Sequence, residues 1–255
     1  MLLELRRLSV RFGGLAALSN VSFGVDAGEI VGLVGPNGAG KSTVVNAVSG
    51  AIARPDGQIM FAGRDITGAA PSRIAALGLA RTFQLVQPFR GLTALECATL
   101  GALYGSEEGR PRSLAKARDL ALEILDLCGL GTTAHQLCDA LNASQRRKVE
   151  IARALASRPR LILLDESLSG LSSNEIDAGL SLVRAIRARG IAILMIEHMV
   201  HVMIELADRI VVLDHGEKIA EGPADHVMAD RRSLDVYFGA RREHAWSRVS
   251  SGGIG

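Results

Sequence analysis

The chain has 255 residues, 48% of them hydrophobic and 22% charged; a sequence this apolar buries enough surface to offset its conformational entropy, which excludes disorder and fits one large domain or two small ones. Basic and acidic residues number 29 and 27, a net charge of +2, and so near a balance does not advertise the clustered phosphate contacts of a nucleic-acid binder. Only 4% of residues are aromatic, so the core has to be built from Leu, Ile, Val and Ala.

The chain opens with Met1-Leu2-Leu3-Glu4-Leu5-Arg6-Arg7, where Glu4, Arg6 and Arg7 break any apolar leader, and no signal peptide is expected. Alternating apolar positions predict strands at 3–11 and 21–25, and an apolar run predicts one at 30–34, with turns at Gly13-Gly14 and Asp26-Ala27-Gly28. A helix over 41–49 and a strand with its turn over 55–61 follow. From about 85 to 157 the texture turns helical, with patterns at 93–104, 113–128 and 145–157, and reads as a helical subdomain inserted into the sheet domain. A buried-type strand at 161–164, a helix at 174–189 and a strand at 191–196 complete an alternation that implies parallel βαβ packing. Residues 241–255 read as a frayed tail. Cys97, Cys128 and Cys138 show no C-x-x-C pairing, so neither a disulfide nor a zinc site is expected, and a reducing compartment suits them. No window is long and apolar enough to predict a membrane span.

Chemistry first appears at Gly35-Pro36-Asn37-Gly38-Ala39-Gly40-Lys41-Ser42-Thr43, which fits G-x-x-x-x-G-K-[ST] between a strand and a helix. Glycines there let successive N–H groups turn inward on phosphate oxygens, and the helix N-terminus adds partial positive charge. Lys41 is expected to reach the β- and γ-phosphates of ATP and the Ser42 hydroxyl to ligate Mg²⁺. The strand Leu161–Leu164 ends in Asp165-Glu166. Ligands of parallel sheets sit beyond the carboxyl ends of strands, so Asp165 falls where Mg²⁺ would be held and Glu166 where a general base would face water; solvated acids at a strand end are the plainer alternative. His198 follows the strand 191–196, where contact with a γ-phosphate or a surface position are both open.

Together these residues resemble the ATP-binding cassette (ABC) family of transporter ATPases over about residues 3–240. The family order of aromatic loop, phosphate loop, glutamine loop, signature, acidic strand, dimer loop and switch histidine is matched by Phe12, Gly35–Thr43, Gln84, Leu141–Gln145, Asp165-Glu166, Ser169–Ser172 and His198. The resemblance implies an α/β fold: a P-loop NTPase core with a parallel-sheet RecA-like subdomain, an N-terminal antiparallel β subdomain and an inserted α-helical subdomain. It implies that Phe12 stacks on adenine, unless it is an ordinary strand core residue, and that Gln84 senses Mg²⁺ or water and relays movement to the helical subdomain. Arg11–Leu18, Ala80-Arg81-Thr82-Phe83-Gln84, Ile196-Glu197-His198 and Ala207–Gly216 are similar to the branched-chain amino-acid importer ATPases. That likeness implies integral-membrane permease subunits, a periplasmic solute-binding protein, a second ATPase subunit and a place on the cytoplasmic face of the membrane. Leu85-Val86-Gln87-Pro88-Phe89 is the expected docking segment for the permease.

The signature departs from the family's Leu-Ser-Gly-Gly-Gln, reading Leu141-Asn142-Ala143-Ser144-Gln145. Asn142 can still donate through its amide, whereas Ser144 adds a side chain where backbone has to approach the other subunit's ATP. Ser167 and Ser172 also replace the usual Pro and Asp or Asn. An asymmetric heterodimer is therefore expected, in which a partner's signature serves this chain's Glu166. A lipid or lipopolysaccharide exporter ATPase and a nucleotide-binding regulatory subunit with little hydrolysis are the alternatives. The basic pairs at Arg6-Arg7, Arg231-Arg232 and Arg241-Arg242 read as solvated faces, and Arg146-Arg147-Lys148 could instead line a dimer interface.

Overall fold

A computed structural model describes residues 1–82, 91–166, 173–197 and 199–229. In chain order its elements are β1 (Leu3–Phe12), β2 (Leu15–Val25), β3 (Ile30–Val34), α1 (Lys41–Val48), β4 (Asp56–Phe61), β5 (Arg64–Asp65), α2 (Pro71–Ala76) and β6 (Leu79–Arg81). Helices α3 (Ala94–Tyr104), α4 (Leu114–Leu127) and α5 (Ala143–Ala156) follow, then β7 (Leu161–Asp165), α6 (Ser173–Ala188), β8 (Ala192–Ile196), α7 (Val200–Leu206), β9 (Arg209–Asp214), β10 (Glu217–Pro223) and α8 (Ala224–Ala229).

The strands form two sheets. An antiparallel one runs β2-β1-β4-β5; the other runs β10-β9-β3-β8-β7-β6, parallel throughout except for edge strand β10. Every residue of β3, β7 and β8 is buried, as strands covered on both faces require. Their side chains alternate between two cores. Ile30, Val34, Ile162, Leu164, Ile193 and Met195 join the core shared with α3–α8, while Val31, Leu33, Leu161, Leu163, Leu194 and Ile196 face α1 and the antiparallel sheet.

Local chemistry sets the helix starts. Thr93 caps α3 and forms a capping box with Glu96, Asn142 does the same for α5 with Gln145, Ser113 caps α4, and Pro71 occupies the first position of α2. Between β6 and β7, α3 packs on both α4 and α5. The contact with α5 is backbone-close: a methyl group on Gly101 would lie 2.2 Å from the Arg153 carbonyl oxygen, and one on Gly105 2.4 Å from Ser157 Cα. Gly101→Ala is therefore expected to destabilise the chain by about 1–3 kcal/mol, read as a lowered thermal midpoint; an unchanged midpoint would disprove that contact. Cys97 and Cys138 Sγ atoms lie 3.3 Å apart within this helical core, and Cys128 is buried elsewhere in it with its thiol pushed up to about 12 by desolvation. Among the described residues no helix is long and apolar enough to cross a membrane.

Candidate active site

The site grows out of β3. Where that buried strand ends at Val34 the chain has to turn sharply, and Gly35 does so at φ +149, with the position of a Cβ only 2.1 Å from the Leu213 carbonyl oxygen. A side chain there would lift the loop off the end of β9. The loop is closed by Ala39 N–H donating to the Pro36 carbonyl (3.2 Å) and by Gly216 N–H donating to that of Ala39 (3.1 Å). Helix α1 then begins at Lys41 without a side-chain cap, which leaves the N–H groups of its first turn available to an anion.

Lys41 Nζ donates to the carbonyls of Gly35 (2.7 Å) and Pro36 (2.9 Å), inside the curve of the loop. The side chain is buried, and desolvation lowers its pKa, opposed by the charges of Glu166 and Asp165. A lysine held in this way can exchange two carbonyl partners for phosphate oxygens without the loop having to refold.

Two strands away, β7 delivers the acids. Asp165 is buried; desolvation pushes its pKa up, and the neighbouring Arg81 charge works against that. Glu166 turns out of the sheet at φ +49 with its N–H bonded to the Ile196 carbonyl (2.9 Å). It lines a cleft of about 290 Å³ together with Asn37, Gly38, Gly40, Lys41, Ser42, Thr43, Leu15, Ala16, Ala17 and His215. Gly35, Pro36 and Ala39 shape the loop without lining that cleft. Phe12 ends β1 opposite Leu15 with 56% of its surface exposed, so it is not a strand core residue. Asn142 caps α5, Ser144 and Gln145 lie in its first turn, and none of the three lines the cleft. Gln84, His198, the dimer loop Ser169–Ser172 and the segment Leu85–Phe89 lie outside the described residues.

Two contributors escape a sequence reading. His215, at φ +45 in the β9–β10 turn, reaches the cleft from far along the chain; the only signal was a His-Gly pair ending an apolar strand. Arg81 meets Asp165 at 3.3 Å, and the only hint was a cation on an otherwise uncharged stretch. The hard oxygens of Ser42 and Asp165 would suit Mg²⁺ rather than a softer metal.

A parallel sheet whose carboxyl edge carries a lysine-bearing phosphate loop and, two strands away, an acid pair defines a P-loop nucleotide-binding core. A family model described as ABC transporter matches residues 18–169. The chain is 33% identical over 250 residues to the high-affinity branched-chain amino acid transport ATP-binding protein BraF of Pseudomonas aeruginosa, covering 93% of this chain and 98% of that one. It is 31% identical to a probable branched-chain amino acid transport ATP-binding protein of Archaeoglobus fulgidus, covering 94% and 96%. The ADP conformation of an ATP-binding cassette of an ABC transporter superposes with a TM-score of 0.83 at 30% identity, covering 93% of this chain and 98% of that chain. This chain belongs to the ABC transporter family, as an ATP-binding ATPase subunit whose known relatives include those of branched-chain amino-acid transport.

Proposed function

We propose that the chain hydrolyses ATP to drive the import of branched-chain or other hydrophobic amino acids, as one of two ATPase subunits attached to a permease at the cytoplasmic face of the membrane. The observation that carries this reading is the convergence of Lys41, Ser42 and Glu166 on one cleft, with the buried Asp165 next in sequence to Glu166, in a chain similar over nearly its whole length to branched-chain amino acid transport ATP-binding proteins.

In this reading residues 1–240 are the ATPase domain, with the helical subdomain inserted at about 85–157 and a tail at 241–255. The loop N–H groups and Lys41 hold the β- and γ-phosphates, and Phe12 stacks on adenine. Ser42, Gln84 and Asp165 hold Mg²⁺, which when bound neutralises phosphate charge. Glu166 accepts a proton from the attacking water, and His198 contacts the γ-phosphate. The signature Asn142-Ala143-Ser144-Gln145 faces the ATP of the second subunit. A related cassette is dimeric with ADP and Pi bound, at a TM-score of 0.77 and 27% identity, which supports a paired arrangement.

The described residues also offer the permease a candidate seat. A groove of about 570 Å³ between α2–β6 and α3–α5 is lined by Ile74, Leu79, Leu100 and the 76%-exposed Tyr104, with Arg81 and Arg153 also reaching it. An apolar furrow of this kind suits a short helix of a membrane subunit. A periplasmic binding protein would deliver the solute to that permease. Cells lacking this chain are expected to lose uptake of radiolabelled leucine, isoleucine and valine, with uptake restored by the wild-type chain. Undiminished uptake would move the substrate assignment elsewhere.

A further inference from the structure

Arg81 stands where three parts of the molecule meet. It closes β6 and pairs in register with Leu163 of β7. Its side chain is 13% exposed and lines the groove between α2–β6 and α3–α5. Nη1 donates to Asn46 Oδ1 (2.7 Å) and Ser49 Oγ (3.2 Å), in and just beyond the last turn of the helix that begins at the phosphate loop. Nη2 lies 3.3 Å from Asp165 Oδ2. A planar guanidinium reaches these partners from two separate nitrogens, a span that the single nitrogen of an ammonium does not have.

We propose that Arg81 is a positioning residue that holds the Asp165 carboxylate until the metal of the nucleotide complex arrives, competes with that metal for it and ties it to the groove, so that occupancy of either site is felt at the other. The inference rests on the nucleotide-binding reading above and deepens it. Asp165 is buried, and a carboxylate taken out of water needs a compensating charge. Arg81 supplies it through one carboxylate oxygen. The same carboxylate would face the metal, and two cations that share one carboxylate repel each other, so each weakens the hold of the other. The coupling is reciprocal: a groove occupant that draws Arg81 away strengthens the demand of Asp165 for a cation, and a cation at Asp165 loosens Arg81 in the groove wall.

The test uses the full chain with Tyr104→Cys at the groove rim, labelled with an environment-sensitive fluorophore. The native thiols are at most 3% exposed, so the label goes to position 104. ATP affinity is measured with EDTA and with Mg²⁺, independently of turnover. With Arg81 present, ATP with Mg²⁺ is expected to shift the label's fluorescence. In Arg81→Met, affinity in EDTA is retained, the gain in affinity on adding Mg²⁺ grows by about tenfold, and the label no longer responds. Arg81→Lys restores the charge without the fork, so its Mg²⁺ gain returns towards that of the parent while the label stays silent. An unchanged Mg²⁺ gain in Arg81→Met, a parental label response in that variant, or no response in the parent would each overturn the proposal. Failure of the parent to bind ATP under either condition would instead overturn the nucleotide-binding reading, and the proposal with it.

Discussion

Glu166→Gln is expected to cut steady-state ATP turnover of the assembled transporter by about 10²–10⁴-fold while leaving ATP binding in place. The amide has the shape of the carboxylate and can occupy the same turn, where the residue sits at φ +49 with its N–H on the Ile196 carbonyl. What is lost is the capacity to take a proton from water. Binding is retained because the phosphate-holding groups, the loop N–H donors and Lys41, belong to a different strand end. Parallel measurements of turnover and equilibrium ATP binding separate the two effects. Equal turnover in the variant and the parent would remove Glu166 from the reaction.

The second large effect concerns the signature. Asn142 accepts from Gln145 N–H (2.8 Å) and donates its own N–H to Gln145 Oε1 (3.0 Å), so it starts α5 as well as the family's serine would. Ser144, half-buried in the first turn of α5, is where glycine would let backbone approach a neighbouring nucleotide. Because Asn142→Ser preserves the cap and Ser144→Gly at a helix start costs no more than about 1 kcal/mol, the double substitution should leave folding intact. The purified chain alone is expected to gain about 10²–10³-fold in ATP turnover when it carries both changes, the worth of a restored transition-state donor. If the unaltered chain turns over as fast as the repaired one, the signature is competent as it stands and the heterodimer loses its rationale.

The phosphate loop was legible from sequence because its geometry is local: an apolar strand, glycines at fixed offsets and a helix start leave little room for another reading. The acid pair was legible for the same reason, since a run of four apolar residues before Asp165 announces a strand end. The helices α3, α4 and α5 fell within two residues of their expected spans because caps and periodicity agree. The antiparallel sheet was read less well. β2 begins at Leu15 rather than Val21, and bulges in its pairing with β1, together with Arg7 and Asn20 at positive φ, interrupt the alternation that marks a strand. Strand β6 has only three residues, too few for a period. The Arg81–Asp165 pair spans 84 positions, and nothing local encodes such a distance. His215 escaped for the same reason.

The glycine-to-backbone contact between α3 and α5 leaves the two helices little room to slide past each other. Leu100, Gly101 and Tyr104 on α3, and Arg153 and Ala154 near the far end of α5, line the groove, while Asn142 caps the near end. Fourteen residues of helix span about 21 Å. On the proposed reading, a tilt imposed at the groove would be carried along α5 towards Asn142, as a beam pressed at one end swings at the other. The contacts proposed for the permease and for a second ATPase subunit would then lie at opposite ends of a single rod.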